Sequence, residues 1–142
     1  SFFTFDLSAI LSSVKDADLE IAEVTIYKNS VSGNPYAFGS INLDHVNFGA
    51  TTDNSGGAIF NTPSLANLGI ADDASNSLGY RARDATSAVR NDLTNRAARG
   101  NRSQYRLAFP GTQVSQNGIQ DFVFFSDFAP QNPYLRVIYV TP

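Results

Sequence analysis

Asn132-Pro133-Tyr134-Leu135-Arg136-Val137-Ile138-Tyr139-Val140 is the stretch on which the fold turns. Pro133 lacks the N–H that a ladder needs, so it marks a strand entry rather than a strand interior. The residues after it are almost all β-branched or aromatic, the types that suit a pleated surface. Leu135, Val137 and Tyr139 share one face, and Ile138 and Val140 are apolar on the other. A strand apolar on both faces is expected to be central and covered twice. It is the last segment of the sequence, so its partners must come from earlier. That predicts a β-sandwich with crossed connections rather than a meander.

Composition agrees. The 142 residues, 42% hydrophobic with 11 Phe and 6 Tyr, suit a single domain spanning 1–142 with a real core, and argue against disorder. Charged residues make up 16% and the net charge is −3, too weak and of the wrong sign for general nucleic-acid binding. No run of about 18 apolar residues exists, so no helical membrane span is expected. Cysteine is absent, which leaves the redox compartment open. Methionine is absent too, and Ser1-Phe2-Phe3-Thr4-Phe5 opens directly in strand-like sequence. A mature, processed chain or a fragment of an exported protein is expected. Few Lys, many Asn, Ser, Thr and Gly, and the sequon Asn101-Arg102-Ser103 point to an extracellular or cell-surface setting, with Asn101 as the candidate glycosylation site.

Working back from the closing stretch, strands are predicted at 104–109 and 119–126. Before them comes a helix over about 86–99. Val89, Leu93 and Ala97 recur at i, i+4 and i+8. Asp84, Thr86 or Ser87 would cap it, and Gly100 would stop it. Further strands are predicted at 2–7, 19–29, 36–48 (bent, or a pair), 58–60 and 78–83. A turn is predicted at 8–13, a loop at 53–57 and irregular chain at 62–77. In 19–29 a bulge near Ala22-Glu23 would set Leu19, Ile21, Val24 and Ile26 on one core face.

Three motifs carry a resemblance. Phe3-Thr4-Phe5-Asp6-Leu7-Ser8, followed by Ala22-Glu23-Val24-Thr25-Ile26-Tyr27, is similar to the opening of the DNRLRE-type domain. Asp84-Ala85-Thr86-Ser87-Ala88-Val89 resembles that family's entry to its helix, and Pro133-Tyr134-Leu135-Arg136-Val137-Ile138-Tyr139 resembles its closing strand. They come in the family's order and cover most of the chain. The resemblance implies an all-β chain, an antiparallel β-sandwich of jelly-roll type with one short inserted α-helix. Such domains occur in secreted and cell-surface proteins, some as carbohydrate-binding modules, so a non-catalytic extracellular module is implied. Two parts of the pattern are missing from this sequence: the strand before the opening motif, and the Trp-containing middle segment. The first bears on assembly, and the second leaves no sugar-binding residue to carry over.

Site chemistry points away from an enzyme. The single histidine, His45, has no Cys to pair with and is expected at an edge or on the surface; no catalytic residue is nominated. Zinc lacks ligands. Calcium is the one metal with candidate ligands, Asp72 and Asp73, with further oxygens in Asp53-Asn54-Ser55, although a solvated acidic loop is the plainer reading. Alternation predicts that Arg81, Arg83, Arg106 and Arg136 point away from a face bearing Tyr80, Leu107 and Val137. Aligned, they would form a basic stripe suited to an anionic glycan, against the plainer reading of cross-strand ion pairs. Tyr36, Phe38, Tyr105, Tyr134 and Tyr139 are candidates for stacking on sugars, or for the core.

The opening strand offers the last candidates. A jelly roll short of its first strand leaves an unpaired edge beside an apolar core. Phe2, Phe3 and Phe5 would then be the assembly strand, inserted into a neighbouring copy by donor-strand complementation, unless the sandwich closes on itself. The expected function is an extracellular, non-catalytic structural or adhesive subunit that self-assembles, into a filament, by strand complementation or edge pairing. The alternative is a carbohydrate-binding module for an acidic polysaccharide. Expected partners are therefore copies of the chain, or polysaccharide, and not nucleic acid.

Overall fold

A computed structural model describes residues 1–50, 57–75, 77–111, 118 and 120–141. The strands are β1 (Phe2–Asp6), β2 (Leu19–Ser32), β3 (Ile41–Val46), β4 (Ala66–Asp72), β5 (Gly79–Asp84), β6 (Arg102–Ala108), β7 (Phe122–Phe125) and β8 (Tyr134–Tyr139); helices α1 (Thr86–Thr94) and α2 (Arg96–Arg99) lie between β5 and β6. One sheet has the order β1-β6-β3-β4. The other is built on β2, which takes β5 on one edge and, end to end on the other, β8 and β7. All pairings are antiparallel. The chain changes sheet at every connection except β3–β4 and β7–β8, which gives the crossed, all-β sandwich with one short helical insert.

The closing strand is not central. Among the described residues, 134–139 pair with β2 alone, so β8 is an edge strand there. Leu135, Val137 and Tyr139 pack half-buried on the core, while Tyr134, Arg136 and Ile138 are exposed. The apolar outer positions suggested a second covering layer that the described residues do not supply. The central place belongs to β2, long enough at 14 residues to serve three partners.

A bulge does correct the parity of β2, but earlier than expected. The register shifts between Leu19 and Ile21. Leu19, Ala22, Val24 and Ile26 therefore face the core, and Ile21 is 46% exposed beside Ile138. The helix starts at Thr86, but its N-cap is Ala85 and carries no side-chain cap; Asp84, one residue earlier, accepts from the Thr86 N–H at 2.9 Å and from its hydroxyl. Val89 and Leu93 are buried. Ala97 is exposed, because the helix breaks at Asn95 and the stripe loses its phase. Gly100 closes α2 at φ +58°, where a side chain would be strained.

Three local predictions differ. Residues 35–38 make a 3₁₀ turn before β3 rather than part of a strand. Residues 58–60 lie in a turn, closed by Asn61 N–H to the Gly57 carbonyl at 2.9 Å. The 62–77 stretch contains β4, whose Asn67 and Gly69 are poor strand formers; pairing with β3, through register shifts, overrides that propensity. The predicted Asp53–Ser55 loop and Ile119 lie outside the described residues.

Between the sheets sit Val24, Ile26, Leu43, Tyr105 and Leu107, with Val89 and Leu93 of α1 covering one end. Burial of each large aliphatic side chain contributes about 1.5–3 kcal/mol. On the β4–β5 side the two layers are tied: Arg83 donates to the Ile70 carbonyl and Arg81 to Asp72. On the opposite side, between β1 and β8, no strand among the described residues pairs the two edges.

Candidate functional site

The side between β1 and β8 is a groove flanked by two strand edges. On β1, Ser1 and Leu107 exchange both backbone hydrogen bonds, at 3.2 and 2.8 Å, and Leu7 N–H donates to the Asn101 carbonyl at 2.7 Å. Antiparallel ladders alternate, so odd residues of β1 bond to β6 and the N–H and C=O of Phe2, Thr4 and Asp6 point outward. On β2, Ala22 accepts from Ala85 on the β5 side, at 2.8 Å. Its odd neighbours therefore serve β8 through Ile138, Arg136 and Tyr134, and Val140 N–H continues that ladder to the Asp18 carbonyl at 2.9 Å. The N–H and C=O of Leu135, Val137 and Tyr139 then point outward. Neither edge has a second strand partner among the described residues.

The walls mix apolar side chains with polar groups, among them Asp6, Thr4 and Asp127. One lobe, of about 340 Å³, is lined by Phe5, Leu7, Ile10, Leu135, Val137 and Tyr139. The next, of about 440 Å³, is lined by Phe3, Phe5, Val123, Phe125 and Pro133 among others. Phe5 lines both lobes, and Phe3, Phe5, Leu135, Val137 and Tyr139 pack against the core. Apolar side chains beside outward backbone donors and acceptors are the chemistry of strand addition.

Phe2, Phe3 and Phe5 sit on this groove in a different role from the one expected. Phe3 and Phe5 face their own core, and Phe2 packs edge-on to Phe48 with centroids 5.9 Å apart. The strand is used within its own sheet, where it presents an acceptor edge rather than a donated segment.

The four arginines do not align. The expected stripe assumed that Tyr80 shares a face with Leu107 and Val137, yet Tyr80 is 55% exposed while those two pack on the core. Arg81 and Arg83 consequently turn inward to the β4–β5 seam. Arg106 lies on the outer face of the other sheet, 2.7 Å from Asp44 and donating to the Phe60 and Thr62 carbonyls. Arg136 lies on the outer face of β8, 3.5 Å from Glu23.

The carboxylates proposed for calcium are also separated. Asp72 is fully buried and held by cations: Lys28 Nζ at 2.9 Å and Arg81 Nε at 3.4 Å, with Tyr36 donating its hydroxyl. Asp73 is exposed and accepts from the Ser75 N–H at 3.2 Å, which holds its carboxyl below the usual range. Among the described residues no three His, Asp or Glu side chains gather to hold a metal.

His45 is not a surface residue. It is 1% exposed on the inner face of β3, with Nε2 2.9 Å from Asp92 and its ring 5.7 Å from that of Tyr105. Tyr105 is buried, and burial pushes its phenol well above the ordinary range. Of the proposed stacking aromatics, Tyr134 is exposed; Tyr36 and Tyr105 are engaged inside, Tyr139 lines the groove and Phe38 packs on Phe109. Asn101 sits at φ +58°, its backbone bonded to Leu7 and Arg96, and the sequon's Ser103 is buried, donating to the Tyr105 hydroxyl at 2.8 Å.

Among the described residues, Lys28 and Asp92 are buried charges that the sequence pattern did not single out. Lys28 continues the inward parity of Val24 and Ile26, a signal that was available. Asp92 lies between Val89 and Leu93 on the helix, near enough to that apolar stripe to be carried inside. No family model and no curated protein matches the chain.

Proposed function

We propose that this chain is an extracellular, non-catalytic structural subunit that assembles with copies of itself by β-strand pairing at the groove between β1 and β8. One observation carries the reading: two outward-pointing strand edges flank a groove partly lined by Phe3, Phe5, Leu135 and Val137, which pack against the core. An edge of this kind is a template for another chain. The occupant is an extended segment of a second copy, because apolar residues alternating with a period of two, as in this chain's own strands, match walls built from Phe3, Phe5, Leu135 and Val137. A head-to-tail contact of this type does not close and yields a filament. The proposed kinship with DNRLRE-type domains fits, since a jelly roll short of one strand leaves such a groove.

The alternative, binding of an acidic polysaccharide, is left with little support. Its arginines lie on three separate surfaces and point at acceptors within the chain.

Sedimentation of the purified chain over a dilution series, with electron microscopy of the same samples, tests the proposal. Assemblies that persist on dilution, in which the Leu135, Val137 and Tyr139 amides gain protection from hydrogen exchange, are expected. A chain that stays monomeric at every concentration, or whose groove amides are already protected as a monomer, would overturn it.

A further inference from the structure

Lys28 and Asp72 are placed as reactants. Lys28 lies on β2 and Asp72 ends β4, so they belong to opposite sheets. Nζ is 2.9 Å from Oδ2, and both side chains are 0% exposed. The Ser75 carbonyl accepts from the same ammonium, and the Tyr36 ring lies 4.8 Å from Nζ. Each oxygen of Asp72 has a different neighbour: Oδ2 accepts from the Tyr36 hydroxyl, and Oδ1 faces Arg81 Nε at 3.4 Å.

We propose that Lys28 and Asp72 join in an intramolecular isopeptide bond, an amide between Nζ and Cγ formed with loss of one water. Burial sets the direction. Two ions removed from water carry a desolvation penalty that their attraction only partly offsets, and a neutral amide removes it. Proximity supplies most of the rest, because the two groups are held together by the meeting of the sheets instead of by diffusion.

The steps balance. The ammonium gives one proton to Oδ2, and the amine's lone pair attacks Cγ to form the C–N bond. Negative charge collects on Oδ1, opposite the Arg81 guanidinium, which stabilises it. The Tyr36 phenol donates to Oδ2 as the C–Oδ2 bond breaks and water leaves; the phenol recovers its proton from the nitrogen. One hydrogen remains on the amide, and no oxidant or reductant takes part.

The bond would staple one sheet to the other at the β4–β5 seam, away from the groove. It would give a chain without cysteine a covalent cross-link that reductants do not open. It stands or falls separately from assembly, since a monomer can carry it and a filament can lack it.

Intact mass of the purified, denatured chain is the test. The expected mass is one water below that of the sequence, with trypsin failing to cut after Lys28 and releasing a branched peptide in which Lys28 is joined to Asp72. Lys28→Arg and Asp72→Ala should each restore the full mass, and Tyr36→Phe should leave a mixture. Full mass with ordinary cleavage after Lys28 would overturn the proposal, as would a missing water that survives in Lys28→Arg. Complete linkage in Tyr36→Phe would overturn the phenol's role.

Discussion

Asp92 of α1 reaches across to His45 of β3, with its two carboxylate oxygens 2.9 and 3.1 Å from Nε2. Both side chains are 1% exposed, and Arg99 donates to the same carboxylate. The short helical insert is thus pinned to the inner face of a sheet by this hydrogen-bonded contact as well as by Val89 and Leu93. Asp92→Ala removes the acceptor from both partners and is expected to cost about 3–5 kcal/mol, the range for breaking a buried pair. Asp92→Asn keeps an acceptor oxygen and should cost less. Urea unfolding of the two variants checks this; an Asp92→Ala chain as stable as the wild type would remove the pair from the account.

The bulge between Leu19 and Ile21 makes a second prediction. Leu19 is buried and Ile21 is not. Leu19→Ala is expected to cost about 2–5 kcal/mol, and Ile21→Ala no more than about 0.5 kcal/mol. The opposite order in denaturant melts would place the bulge elsewhere.

Asp84 makes the fold sensitive to acid. Its carboxyl is held below the ordinary 3.8, first by the Thr86 hydroxyl and then by the Thr86 N–H. A depressed folded value means stability that is present above the unfolded value and lost as pH falls through the folded one. Asp84→Asn should therefore be less stable than the wild type at neutral pH, with the gap shrinking below pH 3.8. Thermal melts from pH 7 to pH 2 measure it, and a gap constant across that range would count against the Asp84–Thr86 contact.

Thr4 offers a clean block to strand pairing. By ladder alternation its N–H points into the groove, and proline is tolerated where an edge N–H faces outward. Thr4→Pro forfeits the 3.1 Å bond from Gln104 Nε2, at about 1 kcal/mol, and leaves the ladder to β6 intact. The variant should fold, by circular dichroism, and fail to assemble. Assembly at wild-type strength would move the contact away from the β1 edge.

Local physics was legible in the residues themselves. Pro133 and the β-branched run after it announced a strand, the alternation of Val24 and Ile26 announced a buried face, and Asp84 and Gly100 bracketed the helical insert. These depend on neighbours a few positions away. Pattern tells which residues share a face but not which face turns inward, and that is why Arg81 and Arg83 were placed with Arg106 and Arg136. Nor does pattern say which strand lies alongside. Only the pairing of β2 with β5, β7 and β8 put the closing strand at an edge and opened the groove beside β1, and only the closing of the layers and the helix brought Lys28 to Asp72 and His45 to Asp92. Those meetings join residues far apart in sequence, and the packing of two sheets decides them, since each buried charge must find its partner wherever the layers close.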